Sequence, residues 1–355
     1  MTHQKIHDHF IEQAGWNEML GSPYTAAILR HMADDFIAGG PIKSLCEGWP
    51  GNPRKDALGL RVLGALHHAT LTGHTPALAA AFPAQKANYS ADETWPIAHD
   101  WLSANIDHVR AFMQRPPQTN ETRRAIALLP GFLELAATFD MPMHLLELGA
   151  SAGLNQNWDR FNYKTDTWSY AGNSDVTIST DWHGPAPQHL DAKPNIESRA
   201  ACDQTPLIIT DKAEALRLKA YTWPDQSERL ARLDAAVALA LDAKTQIDAA
   251  DAEDWLRDKL ANRPKTGLTV IYHSVFLIYP PRDKIERIMS LIKETGDAAT
   301  QDNPLAWLCY ESEALFGGDR GTPAMQTRLQ TWPKGHSKIM AQSDGHVTRI
   351  TALNT

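Results

Sequence analysis

From residue 143 onward, short apolar runs alternate with amphipathic stretches, and this rhythm constrains the fold of the 355-residue chain more than any other feature. Strand and helix in repeated succession build β-α units and a largely parallel sheet. MHLLELG (143–149) reads as the first strand, and SAGLNQNWDRF begins the helix after it. NIESRAACD is the second strand. QSERLARLDAAVALALDA is a strong helix with Leu230, Leu233, Val237 and Leu241 on one face. TQIDAAD is a short third strand and AEDWLRDKLAN its helix. LTVIYHSVFLIYPP, bounded by Gly267 and Pro280-Pro281, is the clearest buried strand; PRDKIERIMSLIKETG supplies the next helix and PLAWLCYESEAL the next strand. The tail, MQTRLQTWPKGHSKIMAQSDGHVTRITAL, alternates and breaks at KG and DG, as antiparallel strands with tight turns do. Five parallel strands and a terminal antiparallel hairpin are expected.

Residues 161–195 interrupt the rhythm: paired alternating runs around AGNSD predict an inserted β-hairpin. Upstream, residues 1 to about 140 carry almost no strand signals. SPYTAAILRHMADDFIAGG places Ser before Pro at a helix start and ends on Gly39-Gly40; DALGLRVLGALHHATLTG ends on Gly73, and ETRRAIALLPGFLELAATF gives a further helix. The expected organisation is an all-helical N-terminal domain over 1–140 and an α/β domain over 141–355.

Composition narrows the function classes. Lys and Arg number 34 against 42 Asp and Glu, a formal charge of −8 with no block of either sign, which argues against a nucleic-acid surface. No run approaches a membrane span, and MTHQKIHDHFIEQ lacks a signal-type apolar core, so a cytoplasmic protein with no membrane partner is expected. Cys46, Cys202 and Cys309 are far apart, and the histidines, His67-His68 and His99 among them, show no ligand spacing. No metal is expected.

HLLELGASAGLN (144–155) admits two readings. Gly149 to Gly153 matches G-x-S-x-G, the turn that presents a serine nucleophile, and Ser151 with Asp251 or Glu311 and then His336 or His346 satisfies a triad order. Such an elbow normally follows several strands, whereas this one follows the first. In the other reading, a strand ending in Glu147 leads into Gly149, which lets the backbone turn, and Gly153, which lets the helix approach, aiming N–H groups into a ligand crevice. Ser151 takes the place of a middle glycine.

The order that follows, E-x-G-x-x-x-G, a second strand ending in Asp203, a third ending in Ala250-Asp251-Ala252 and a terminal hairpin, resembles the S-adenosylmethionine-dependent methyltransferases and their Rossmann-like sheet. The resemblance implies ribose hydroxyls on Asp203 and the adenine amino group on Asp251. Asp203 lies further from the glycines than the usual ~20 residues, which the insertion accounts for; without an insertion, Asp166 or Asp175 takes the ribose role. QTNETRRAIALLPG, LLELGASAGLNQNWDRFNY, SRAACDQTPL, YTWPDQSERLARLDAAVALA and VIYHSVFLIYPP together resemble, through nearly the whole chain, the bacterial family catalogued as domain of unknown function 2332. That family implies a helical part joined to a methyltransferase-like domain and brings no established substrate.

The expected cofactor is S-adenosylmethionine and the expected partner a small-molecule acceptor; the sequence leaves the oligomeric state open. His273 is the candidate base, Tyr279 the candidate to pack or orient the acceptor, and Ser274 lies beside them at the strand's carboxyl edge. Asp225, after Trp223, is a helix cap or a substrate contact. In QTNET, Asn120 caps a helix or closes over the methionine end of the cofactor, where Arg124 suits a carboxylate. Asn155 and Glu311 are further residues that face the crevice or cap an element. A non-catalytic sensor of a nucleotide-like ligand is the rival from another class.

Overall fold

The computed structural model describes residues 3–73, 75–83, 88–318 and 324–353. The chain divides into two compact units, one of residues 1–119 and 208–234, the other of 120–207 and 235–355. The division therefore falls at 119/120 rather than near 140, and a later segment returns to the first unit.

The first unit is helical: α1 (His3–Met19), α2 (Pro23–Ala38), α3 (Pro41–Cys46), α4 (Leu58–Leu71), α5 (Pro76–Ala81), α6 (Ala91–Ala104) and α7 (Ile106–Met113). The returning segment adds α9 (Lys212–Ala220) and the start of α10 (Ser227–Asp242). α2 begins with Pro at its first positions and ends where Gly39 takes a left-handed φ of 88°, as the sequence predicts. Phe10, Leu29, Phe36 and Leu66 form the core together with Ala220 and Tyr221 of the returning segment. Gly64 matters there, because a Cβ would lie 2.5 Å from the Tyr221 ring. The apolar face of α10 runs through Leu230, Leu233, Ala236 and Ala240, while Leu241 is exposed. The stripe thus drifts off the leucine assigned to it, since 3.6 residues per turn carries position 240 inward.

The second unit opens with α8 (Arg124–Phe139) and β1 (Met143–Leu148), then a short 3-10 helix, Leu154–Arg160, in place of the longer helix expected. The inserted region holds β2 (Asn162–Lys164), β3 (Ser169–Tyr170), β4 (Thr177–Ser179) and β5 (Asp181–His183). Its hairpin turns at Thr165–Trp168, fixed by the Thr165 hydroxyl, not around AGNSD; β2 pairs antiparallel with β3 and parallel with β4. β6 (Ile196–Asp203), β7 (Asp248–Ala249), α11 (Ala252–Ala261), β8 (Leu268–Ser274), α12 (Arg282–Asp297), β9 (Leu305–Ser312), β10 (Met325–Trp332), β11 (His336–Ser343) and β12 (Arg349–Ala352) complete it.

Nine strands form one mostly parallel sheet in the order β5-β12-β11-β10-β9-β8-β1-β6-β7. β7, β6, β1, β8 and β9 are mutually parallel, β10 to β12 are antiparallel, and β5 joins the far edge beside β12. The chain runs outward from β1 to β6 and β7, then returns to β8 on the other side of β1, so the winding reverses between β1 and β8. Helices cover both faces. Gly131 of α8 packs on Leu308, and Gly296 of α12 packs on Trp332, whose face is shared by Leu305, Trp307 and Cys309.

Candidate functional site

The reversal of winding places the carboxyl ends of β1 and β8 beside one another, the position where open α/β sheets take ligands. Glu147 stands at the end of β1, only 4% exposed, and accepts a hydrogen bond of 3.1 Å from the Tyr272 phenol. Burial, with Asp203 nearby adding to it against the Tyr272 bond, pushes the Glu147 carboxyl up to about 8. Beneath it Tyr272 packs on Phe132, which stacks on Trp158 with ring centroids 3.9 Å apart.

The loop leaving β1 has left-handed φ angles at Gly149 (68°), Ser151 (54°) and Gly153 (70°). Glycine takes that conformation freely; serine does not, and its cost is offset by bonding. Asp203 does this: Oδ2 accepts the Ser151 N–H at 2.8 Å while Oδ1 accepts that of Thr205 at 3.0 Å. A Cβ on Gly149 would lie 2.6 Å from Phe276, so glycine admits that ring.

Four of the loop's N–H donors, those of Ala150, Ser151, Gly153 and Leu154, are committed, contrary to the expectation that they point into the crevice. Ala150 N–H donates to the Cys202 carbonyl at 3.0 Å, Gly153 to Ala150 at 2.7 Å, and Leu154 to Asn120 Oδ1 at 2.9 Å. A phosphate cradle needs such donors free. Buried acceptors and donors instead remain on the side chains: among the described residues Ser151 Oγ, Asn155 Oδ1 and Arg124 Nε have no hydrogen-bond partner. Asn155 is tied to the start of α8 through Nδ2, which donates to the Glu121 carbonyl at 3.4 Å. Glu147, Gly149, Ser151, Gly153, Asn155, Asp203, Asn120 and Arg124 thus lie on segments bonded or paired to one another.

Near the end of β8, His273 is fully buried and both its nitrogens are engaged. The Trp307 indole donates to Nε2 at 2.9 Å, which leaves the proton on Nδ1, and Nδ1 donates to Glu311 Oε1 at 2.7 Å. A general base needs a lone pair facing its substrate, and this imidazole has none to offer. The same Glu311 oxygen accepts the N–H groups of Phe276 at 2.7 Å and Leu277 at 3.3 Å, so it holds the turn in which Val275 takes φ 53°. Glu311 Oε2 is buried without a partner. Ser274 closes β8 opposite Tyr310 of β9, and Tyr279 is 76% exposed on the turn beyond.

Two acids are committed elsewhere. Asp251 caps α11 through the Glu253 and Asp254 N–H groups and pairs with Lys284 at 2.5 Å; that partner, the largest influence, holds its carboxyl below the usual range. Asp225 lies in the helical unit, where it accepts from Ser22 Oγ at 2.5 Å, Tyr24 N at 3.2 Å and Thr25 Oγ1 at 3.1 Å, capping α2. The sequence places such a cap on the long helix after Asp225; the carboxylate serves the start of α2 instead. Tyr272, Phe276 and Trp307 were absent from the sequence-derived set, because an aromatic in an apolar strand carries no local signal of the acid it meets.

Among the described residues no group of three or more His, Cys, Asp or Glu is placed to hold a metal, and no helix is long and apolar enough to cross a membrane. Cys46, Cys202 and Cys309 are free and buried.

Fold and site together define a mixed α/β protein with a mostly parallel nine-stranded sheet, a helical unit and a glycine-bearing loop at the point where the winding reverses. Within that class, the chain belongs to the family described as uncharacterized protein conserved in bacteria (DUF2332), whose model matches residues 7–351. Neither the curated proteins nor the solved structures contain a match to it.

Proposed function

We propose that the sheet unit binds S-adenosylmethionine at the carboxyl ends of β1 and β6 and serves methyl transfer to a small-molecule acceptor. The observation that carries this reading is the β1 loop at the reversal point, with alternate left-handed residues over a buried acid and the N–H groups of Ala150, Ser151, Gly153 and Leu154 bonded within the protein. Such a loop suits an adenosyl ligand without phosphates and disfavours a dinucleotide. The parallel order β7-β6-β1-β8-β9 and the antiparallel β10 beside β9 support a Rossmann-like, methyltransferase-type sheet.

The residues fit the ligand in part. Ser151 Oγ, Asn155 Oδ1 and Arg124 Nε are buried polar atoms in need of partners, and Arg124 suits a carboxylate. Asp203 keeps lone pairs for ribose hydroxyls after its two backbone bonds, since a carboxylate offers about four. Asp251, spent on Lys284 and the α11 cap, does not fit an adenine contact. When bound, the cofactor supplies an electrophilic methyl group on sulfur. The chain's contribution is then to hold the acceptor in line and exclude water, because no base is exposed at His273.

That closed imidazole favours a second reading, a non-catalytic sensor of the same ligand. Ser151 as a hydrolase nucleophile has less support, for its Oγ has no hydrogen-bond partner and so no base to activate it. Calorimetric titration decides the central point. Saturable binding of S-adenosylmethionine and S-adenosylhomocysteine, weakened at least tenfold by Asp203→Ala, is expected, with no binding of NAD. A wild-type chain that binds neither sulfur ligand sinks the proposal. Methyl incorporation into a small-molecule extract separates enzyme from sensor.

A further inference from the structure

Glu147 is a buried acid with an unusual set of neighbours. Among the described residues its one hydrogen-bond donor is the Tyr272 phenol from β8, and the charge acting on it from β6 is the carboxylate of Asp203, with no cation among the groups that influence it. Cys202, next along β6, is a buried thiol that burial keeps protonated. Arg199 of β6 acts on Tyr272 and is spent on the Gln156 carbonyl and Asp159, the latter at 2.8 Å. From α8 the ring against Tyr272 is Phe132, which carries no charge. Desolvation and a neighbouring anion both oppose ionisation of such a carboxyl, and both are relieved by a positive ligand. At low local polarity that attraction is far stronger than in water.

We propose that Glu147 makes this site a reader of ligand charge, taking the sulfonium of S-adenosylmethionine in preference to the neutral thioether of S-adenosylhomocysteine and releasing its own proton to solvent as the cation binds. The inference rests on the cofactor reading above. The proton lost from the carboxyl leaves a carboxylate opposite the sulfonium, so the buried charge balances. The ammonium and carboxylate of the two ligands cancel alike; the sulfonium is the difference between them. A site built this way binds the methyl donor and lets go of its demethylated product.

Titration calorimetry of the full chain in two buffers of different ionisation enthalpy counts the protons. Near pH 7, S-adenosylmethionine is expected to release a large fraction of one proton per site and S-adenosylhomocysteine almost none. Glu147→Gln abolishes the release and narrows the preference between the ligands about tenfold or more, the equivalent of a unit of pKa. Should that variant fold poorly, the wild type still decides. Its affinity for S-adenosylmethionine is expected to rise by up to about tenfold per pH unit between about pH 5.5 and about pH 7, with the thioether flat. Both ligands binding with equal proton release, or with parallel pH profiles, overturns the inference alone. Binding of neither overturns the cofactor reading and this inference with it.

Discussion

In the helical unit, the half-buried carboxylate of Asp225 gathers three donors from the start of α2, whereas in the sheet unit the buried carboxyl of Glu147 has, among the described residues, one donor and no cation. The contrast extends further. Gly59 N–H donates to His9 Nε2 at 3.1 Å and His67 Nδ1 meets the Ala220 carbonyl at 3.2 Å, so these buried imidazoles serve as neutral scaffold. Around β1, Ser151 Oγ, Asn155 Oδ1 and Arg124 Nε remain without partners among the described residues, as Asn17 Nδ2 and His68 Nδ1 do in the helical unit. A buried polar group left unpaired costs free energy, and around β1 three of them, on the loop, the 3-10 helix after it and the start of α8, fall within the proposed ligand site.

The comparison breaks most visibly at Asp225. Asp225→Ala leaves one backbone N–H and two hydroxyls unpaired, and is expected to lower the stability of the helical unit by roughly 2–4 kcal/mol. S-adenosylmethionine affinity is expected to stay unchanged. Chemical denaturation and calorimetry of the one variant check both, and a specific loss of affinity in a well-folded protein would return Asp225 to the site.

A smaller effect separates the units by pH. Burial holds His9 and His67 down at about 4, below the ordinary 6.5, so their contribution is full above about pH 6.5 and fades as pH falls toward 4. Glu147 runs the other way: raised from 4.5 to about 8, it contributes fully below about pH 4.5 and its contribution is lost as pH rises through 8. Hydrogen exchange followed from pH 5 to pH 8 should therefore show α4 gaining protection while β1 loses it, by about 1.4 kcal/mol per unit of displaced pKa at most. Parallel changes in the two elements would remove the distinction.

The smallest effect is at Ser151. Its hydroxyl bonds nothing and its N–H does the holding, so Ser151→Ala should change stability by no more than about 0.5 kcal/mol. Ligand affinity should fall by only a few-fold. Loss of an esterase activity on that substitution would revive the nucleophile.

Much of the fold was legible because β1, β8 and β9 are largely apolar runs bounded by turn residues, a signal local to each strand. The insertion misled: AGNSD carries turn chemistry, yet Asn162 captures it from outside, bonding Gly172 N–H and the Ser174 carbonyl, so the hairpin closes earlier at Thr165. At the site, the glycines and Asp203 could be placed from strand ends. The state of His273 could not, because the acid and the indole that engage it lie 38 and 34 residues away on β9. A residue's availability is a property of its neighbours in space, which strand periodicity does not encode.

The return of residues 208–234 to the helical unit has a bearing on synthesis. A nascent chain emerges from its amino end, and domains ordinarily fold as they appear. Here Ala220 and Tyr221 belong to the helical core. The amino-terminal helices must therefore wait, incomplete, while β1 and the insertion are translated. Slow decoding anywhere between 120 and 207 would prolong the exposure of an unfinished apolar surface, so the middle of the message, rather than its beginning, sets when the helical unit can close.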